Sequence, residues 1–211
     1  MKIFITFVRA CHDLSARSYN FVMADLKLYD IFDINPLRDY ILSRGKPVVL
    51  KRNSNFCEFG KPANDIGVVT SGAVAFNCPD SKGDMQTLSL AFKGEIAGAY
   101  VSLYPSRCSA FDVTALCTTE LSVLPIKDMV RYMDEELPAG FHVEFAKAVA
   151  YGFLMRATAY RCQSPEERYR ELLQRNPELA STTDIPMRAI AAYLGITRET
   201  FARMRTRMKE K

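Results

Sequence analysis

Residues able to make two-pronged hydrogen bonds gather near the end of the chain: Arg198, Glu199 and Arg203, with Thr197 and Thr200 beside them. An arginine guanidinium is a planar fork that matches the O6 and N7 acceptors of guanine, and a carboxylate accepts from the N4 of cytosine. The two threonine hydroxyls, with Arg205 and Arg207, suit phosphate oxygens. Between residues 196 and 211, six cations (Arg198, Arg203, Arg205, Arg207, Lys209, Lys211) face two anions, Glu199 and Glu210. That segment carries +4, the whole net charge of the 211-residue chain, so everything before it sums to zero. A basic cluster of this kind neutralises nucleic-acid phosphates; a solvated face at the end of the chain would have the same composition.

Other chemistries lack their residues. Cys11, Cys57, Cys78, Cys108, Cys117 and Cys162 are far apart, with no CxxC pair, so neither a disulfide framework nor a zinc site is expected. They read as reduced thiols of a cytoplasmic protein, packing as small hydrophobes. His12 and His142 are isolated, and no nucleophile and base are paired. No catalytic residue, metal ligand or cofactor is assigned, and an enzyme is not expected. No apolar run approaches the roughly 18–20 residues of a membrane span. Arg9 interrupts the apolar start at residues 1–8, which argues against a secretory signal.

Positioning the terminal side chains takes two helices. Thr197 can cap a helix over residues 198–208 that buries Phe201 and Met204. Ahead of it, residues 186–194 present Ile190 and Leu194 on one face, with small Ala191 allowing a close crossing. Gly195 then supplies a left-handed stop. Two short helices around a glycine turn form a helix-turn-helix. Upstream, Ser164-Pro165-Glu166-Glu167 reads as a capping box opening a helix that ends at Asn176-Pro177. Before that, Phe141, Phe145, Ala148, Gly152, Met155, Ala159 and Cys162 recur at alternating steps of four and three, a coiled-coil seam. Such a helix pairs with its copy in a homodimer, or packs on its own domain by the same stripe.

Seven of the ten glycines lie between Gly45 and Gly98, punctuating apolar runs at residues 47–50, 66–70, 73–76, 87–90 and (beyond them) 121–124. Short strands at this spacing, with a hairpin turn at Ser81-Lys82-Gly83-Asp84, indicate an all-β roll. Residues 24–34 and 36–42 suit short helices. Residues 1–22 are either an extension ahead of a start at Met23 or a leader helix packed on the domain. The expected fold is α+β: leader 1–22, β-roll sensor with flanking helices 23–137, dimerisation helix 138–163, helix-turn-helix domain 164–211.

The run Tyr193-Leu194-Gly195-Ile196-Thr197-Arg198-Glu199-Thr200-Phe201-Ala202-Arg203 resembles the helix-turn-helix of the cAMP receptor protein/FNR superfamily, and the order of roll, long helix and terminal domain is similar over roughly residues 31–211. The resemblance implies a cyclic-nucleotide-binding-like jelly roll and a cytoplasmic, homodimeric bacterial transcription regulator. It further implies binding to a pseudo-palindromic site in double-stranded DNA, with RNA polymerase as a further partner. Arg198, Glu199 and Arg203 fall on the family's base-reading positions. Lys93-Gly94-Glu95-Ile96-Ala97-Gly98-Ala99 is similar to the start of the family's nucleotide cassette, and Ser106-Arg107-Cys108-Ser109-Ala110 to its end. Gly94, Glu95, Gly98, Ala99, Arg107, Cys108 and Ser109 are thereby candidate effector-binding residues.

Two departures matter. Cyclic-AMP binders carry a ribose-binding glutamate where this chain has Ala99, and a phosphate-binding arginine where it has Cys108. Each charge-assisted bond is worth about 1.5–3 kcal/mol, and Arg107, one position away, would point to the opposite face of a strand. Tight cAMP binding is therefore not expected, and the effector is an unknown small molecule, if there is one. Cys108 reads as a buried strand thiol or, alternatively, a thiol signal. The iron–sulfur members cluster cysteines near the N-terminus, whereas Cys11 stands alone, and no axial haem ligand is identifiable. The family's β-hairpin wing after the recognition helix has no counterpart before Lys211, which resembles a wingless subgroup. The alternative function is a ligand- or protein-binding module whose helical end docks a protein partner.

Overall fold

Strand β3 (Asp65–Ser71) shows how the chain is layered, because it is buried on both faces. Val69 points into one apolar cluster with Cys57, Val74, Phe76, Phe111 and Leu121. Ile66 and Val68, alternating with it as strand geometry requires, point into another. The computed structural model describes residues 32–99, 108–181 and 184–209. The expected leader, Arg107 and residues 24–31 of the helix expected over 24–34 lie outside them, and residues 32–34 are not helical.

Helix α1 (Asn35–Arg44) opens with Pro36 in its first turn and buries Leu37 and Ile41, four apart on one stripe. The strands β1 (Lys46–Leu50), β2 (Asn55–Cys57), β3, β4 (Ala73–Pro79), β5 (Met85–Phe92), β6 (Ile96–Gly98), β7 (Asp112–Ala115) and β8 (Thr119–Pro125) follow. They form two four-stranded sheets, ordered β1-β8-β3-β6 and β2-β7-β4-β5, and every pairing is antiparallel. Each predicted strand run lies inside one of these strands. The β4–β5 turn is set by Asp80, whose carboxylate accepts from the Lys82 amide at 2.8 Å and the Asp84 amide at 3.0 Å. Gly83 takes φ +87° there, a conformation that favours glycine.

Helices α2 (Ile126–Glu135) and α3 (Phe141–Cys162), then α4 (Pro165–Arg175), a short 3₁₀ turn (Pro177–Ala180), α5 (Met187–Tyr193) and α6 (Arg198–Lys209) complete the described chain. Three apolar clusters hold it together. Between the sheets lies the roll interior. Over the β3–β8 sheet, α1, α2 and the start of α3 pack Leu37, Ile41, Met129, Met133 and Phe145 on Ile66, Val68 and Leu124. Tyr40 and Tyr132 stack there with ring centroids 3.8 Å apart.

The third cluster joins the outer face of β4 and β5 (Ala73, Ala75, Leu90, Phe92) to the terminal helices through Ile190, Ala191, Leu194 and Phe201. Covered on both faces, these strands read as continuous apolar runs, and clean alternation is lost.

The first part of the seam expected along α3 is engaged within this chain. Phe145 and Ala148 are buried within this chain, and Phe141 packs on Phe32 at 4.8 Å between ring centroids. Gly152, Met155 and Ala159 are half-buried. A four–three apolar spacing marks a buried stripe without saying what buries it, and here α1, α2 and the roll take its first half. The face left open carries Val143 (57% exposed) and Leu154 (59% exposed), with exposed Ala146, Ala150 and Ala157 between and after them.

Candidate nucleic-acid interface

Helix α4 begins at a complete capping box. The Ser164 amide donates to Glu167 Oε2 at 2.7 Å, and the Glu167 amide donates to Ser164 Oγ at 3.3 Å. The Ser164 amide first, and the Ser164 hydroxyl donating to the same Oε2 at 2.8 Å second, hold the Glu167 carboxyl below its usual range. The helix buries Tyr169 and Leu172, and Tyr169 meets Phe201 of α6 edge-on at 5.0 Å. Across this floor, α5 buries Ala189, Ile190 and Ala191.

Between α5 and α6 the chain turns in a Schellman-type stop. The Ile196 amide donates to the Ala191 carbonyl and the Gly195 amide to the Ala192 carbonyl, both at 3.0 Å, with Gly195 at φ +67°. Thr197 caps α6 by accepting from the Thr200 amide at 3.2 Å. Phe201 and Met204 then anchor the helix inward.

With that face committed, Thr197, Arg198, Glu199, Thr200, Ala202 and Arg203 are all exposed, a contiguous polar surface at the N-terminal end of α6. The Glu199 carboxyl is held below its usual range by its own backbone amide first and the Thr197 hydroxyl second, with Arg198 and Arg203 adding to this. It is therefore ionised at neutral pH and available as an acceptor.

Two of the residues expected to contact phosphate also have partners within the fold. Arg205 is half-buried with its guanidinium 5.8 Å from the Phe201 ring. Arg207 pairs with Glu166 of α4, which also holds Arg170 at 3.7 Å. Spacing along α6 set both on the outer turns, but it could not show α4 lying alongside. Arg188, exposed in the first turn of α5, is a cation that no sequence motif singled out, and none singled out Arg168 or the Tyr160 ring beneath it.

Six of the seven candidate effector residues lie among the described residues. Ala99 is fully buried in the roll interior, where Phe76 and Phe111 meet edge-on at 5.8 Å and Phe153 of α3 stacks on Phe111 at 6.3 Å. Burial pushes the Cys57 thiol in the same cluster up to about 11. Gly94 and Gly98 take positive φ. Glu95 is half-buried and accepts from the Phe92 amide at 2.9 Å. Burial raises its carboxyl, while that amide, Arg175 and Arg156 oppose the rise. Cys108 bridges to Pro62, half-exposed, and the buried Ser109 hydroxyl donates to the Phe111 carbonyl at 2.5 Å. All five cysteines among the described residues are free. None of the described helices is long and apolar enough to cross a membrane.

Solved structures with the same arrangement were found. FixK2 from Bradyrhizobium japonicum superposes with a TM-score of 0.63 at 16% identity, over 79% of this chain and 85% of that one. A protein of Eubacterium rectale assigned as a transcriptional regulator of the CRP/FNR family gives 0.57 at 17%, over 85% and 88%. The c-di-GMP-responsive global regulator CLP of Xanthomonas campestris gives 0.55 at 13%, over 83% and 91%. The chain has the fold of these regulators. No family model matches the sequence, and no curated protein matches it.

Proposed function

We propose that this chain is a dimeric, DNA-binding transcription regulator of the CRP/FNR superfamily, cytoplasmic and without catalytic activity. In this reading α5 and α6 form the helix-turn-helix. Arg198, Glu199 and Arg203 read base edges in the major groove, and Thr197 and Thr200 contact phosphate. The observation that carries it is the shared exposure of these side chains at the N-terminal end of α6, where helix-turn-helix proteins insert. Residues 23–137 act as sensor, residues 138–163 as dimerisation helix and residues 164–211 as DNA-binding domain. The dimer contact is carried by the open α3 face with Val143 and Leu154, which replaces the seam expected from sequence. A signal acts by shifting the population between helix arrangements that space the two recognition helices correctly or incorrectly. The sensor does not take cAMP tightly, because Ala99 sits in an apolar interior.

Genomic footprinting of the native chain beside an Arg198→Ala, Arg203→Ala variant tests the reading. The native chain is expected to give a recurrent two-fold-symmetric motif. Each two-pronged contact is worth about 1–3 kcal/mol of discrimination, so the double variant is expected to lose the motif. An unchanged motif in the variant, or none with the native chain, rejects the assignment.

A further inference from the structure

The last turn of α3, the start of α4 and the turn after α5 meet at one guanidinium. Arg168 Nη1 donates to the Gln163 carbonyl at 2.5 Å and to the Tyr160 carbonyl at 3.3 Å. Its Nη2 donates to the Leu194 carbonyl at 2.7 Å. Those acceptors belong to two different helix ends. The last carbonyls of a helix have no partner within it and carry the negative end of the helix dipole. A single planar cation therefore satisfies and neutralises both ends at once, which a lysine ammonium, a compact point charge, does not reproduce.

A second contact closes the same joint. The Tyr160 ring lies under the Arg168 guanidinium, 4.9 Å from ring centroid to Cζ. Its hydroxyl end packs on Gly195 so closely that a Cβ there would collide with the ring and its hydroxyl. The glycine is thus fixed twice, by its positive φ and by the tyrosine against it. Gln163, between the two helices, donates to Glu171 of α4.

We infer that Arg168, with Tyr160 as its platform, is a positioning residue that sets the angle between α3 and the α5–α6 unit, and through it the spacing of half-sites the protein accepts. This rests on the DNA-binding reading. If two chains pair along α3, any rotation at this joint moves both recognition helices relative to each other. Sites read by paired helices lie a helical turn apart, about 34 Å, so the joint governs spacing while α6 governs sequence.

The test is binding-site selection from random DNA with the full chain and with Arg168→Met, Arg168→Lys and Tyr160→Leu, scoring half-site sequence and spacer length separately. All three variants are expected to keep the half-site sequence and to spread over several spacer lengths. Affinity at the native spacing should fall about tenfold, in the range of coupling between linked sites, while binding to a single half-site is unchanged. Arg168→Lys, which keeps the charge and loses the fork, should behave like Arg168→Met. A single, native spacer length in the variants overturns the inference and leaves base reading intact. If Arg168→Met does not fold, Tyr160→Leu decides, since Tyr160 is 56% exposed and its loss spares the core. Should the native chain select no symmetric motif, the DNA-binding reading fails and this inference with it.

Discussion

At the residue scale, the roll interior shows what a single substitution changes. Ala99 stands where the resemblance implies a ribose-binding glutamate, and it is fully buried beside Phe76, Phe111 and Cys57. The Cys57 thiol, pushed up to about 11, stays protonated at neutral pH and adds no charge. Burying a cyclic phosphate without charged partners is strongly unfavourable. Calorimetric titration with cAMP and with cGMP is therefore expected to give no heat of binding at micromolar concentrations; a tight stoichiometric isotherm would contradict the reading of Ala99 and Cys108. The two departures were legible as residue types in the sequence. Their surroundings were not, because Cys57 reaches Ala99 across 42 positions and Phe153 comes from a helix that follows the roll.

At the element scale, α4 depends on its first turn. Removing the side-chain cap with Ser164→Ala is expected to cost about 1 kcal/mol. For a chain of this size that lowers the midpoint of thermal unfolding by roughly 2–4 °C. The effect depends on pH with a definite sign. Glu167 has a folded-state pKa below its unfolded value of 4.5, so its contribution is fully present above that value and is lost as pH falls through the folded pKa. Differential scanning calorimetry of both proteins at neutral and acid pH checks this: the gap between them should narrow in acid. A gap that persists or widens would mean the carboxylate is not what holds the cap. Caps of this kind are local, four residues of one sequence pattern, which is why Ser164 and Glu167 could be read directly. By contrast, the burial stripe of α3 was legible as a period and illegible as a contact, since Phe145 is covered by α1 and α2, more than 100 and about 15 positions away respectively.

At the scale of the whole molecule, the open α3 face is the proposed dimer contact, and the outer core is shared between the roll and the terminal helices. Mass measurement in solution is expected to find a dimer for the native protein, and a monomer after Leu154→Glu places a charge on the open face at a 59% exposed position. A dimer that survives this change would move the contact elsewhere. The same scale holds what the sequence concealed most fully. Roll and terminal helices read as separate blocks along the chain, yet Leu90 and Phe92 of β5 lie in one cluster with Ile190 and Leu194. Nothing local in either block announces the other, for both simply show buried apolar positions. That joint floor means the terminal helices are not an interchangeable part. A chimera that transfers residues 164–211 to another roll would set an apolar helix face on a foreign sheet surface. The β4–β5 hairpin and α5 are therefore bound to be inherited together, and a change in one must be matched by a change in the other.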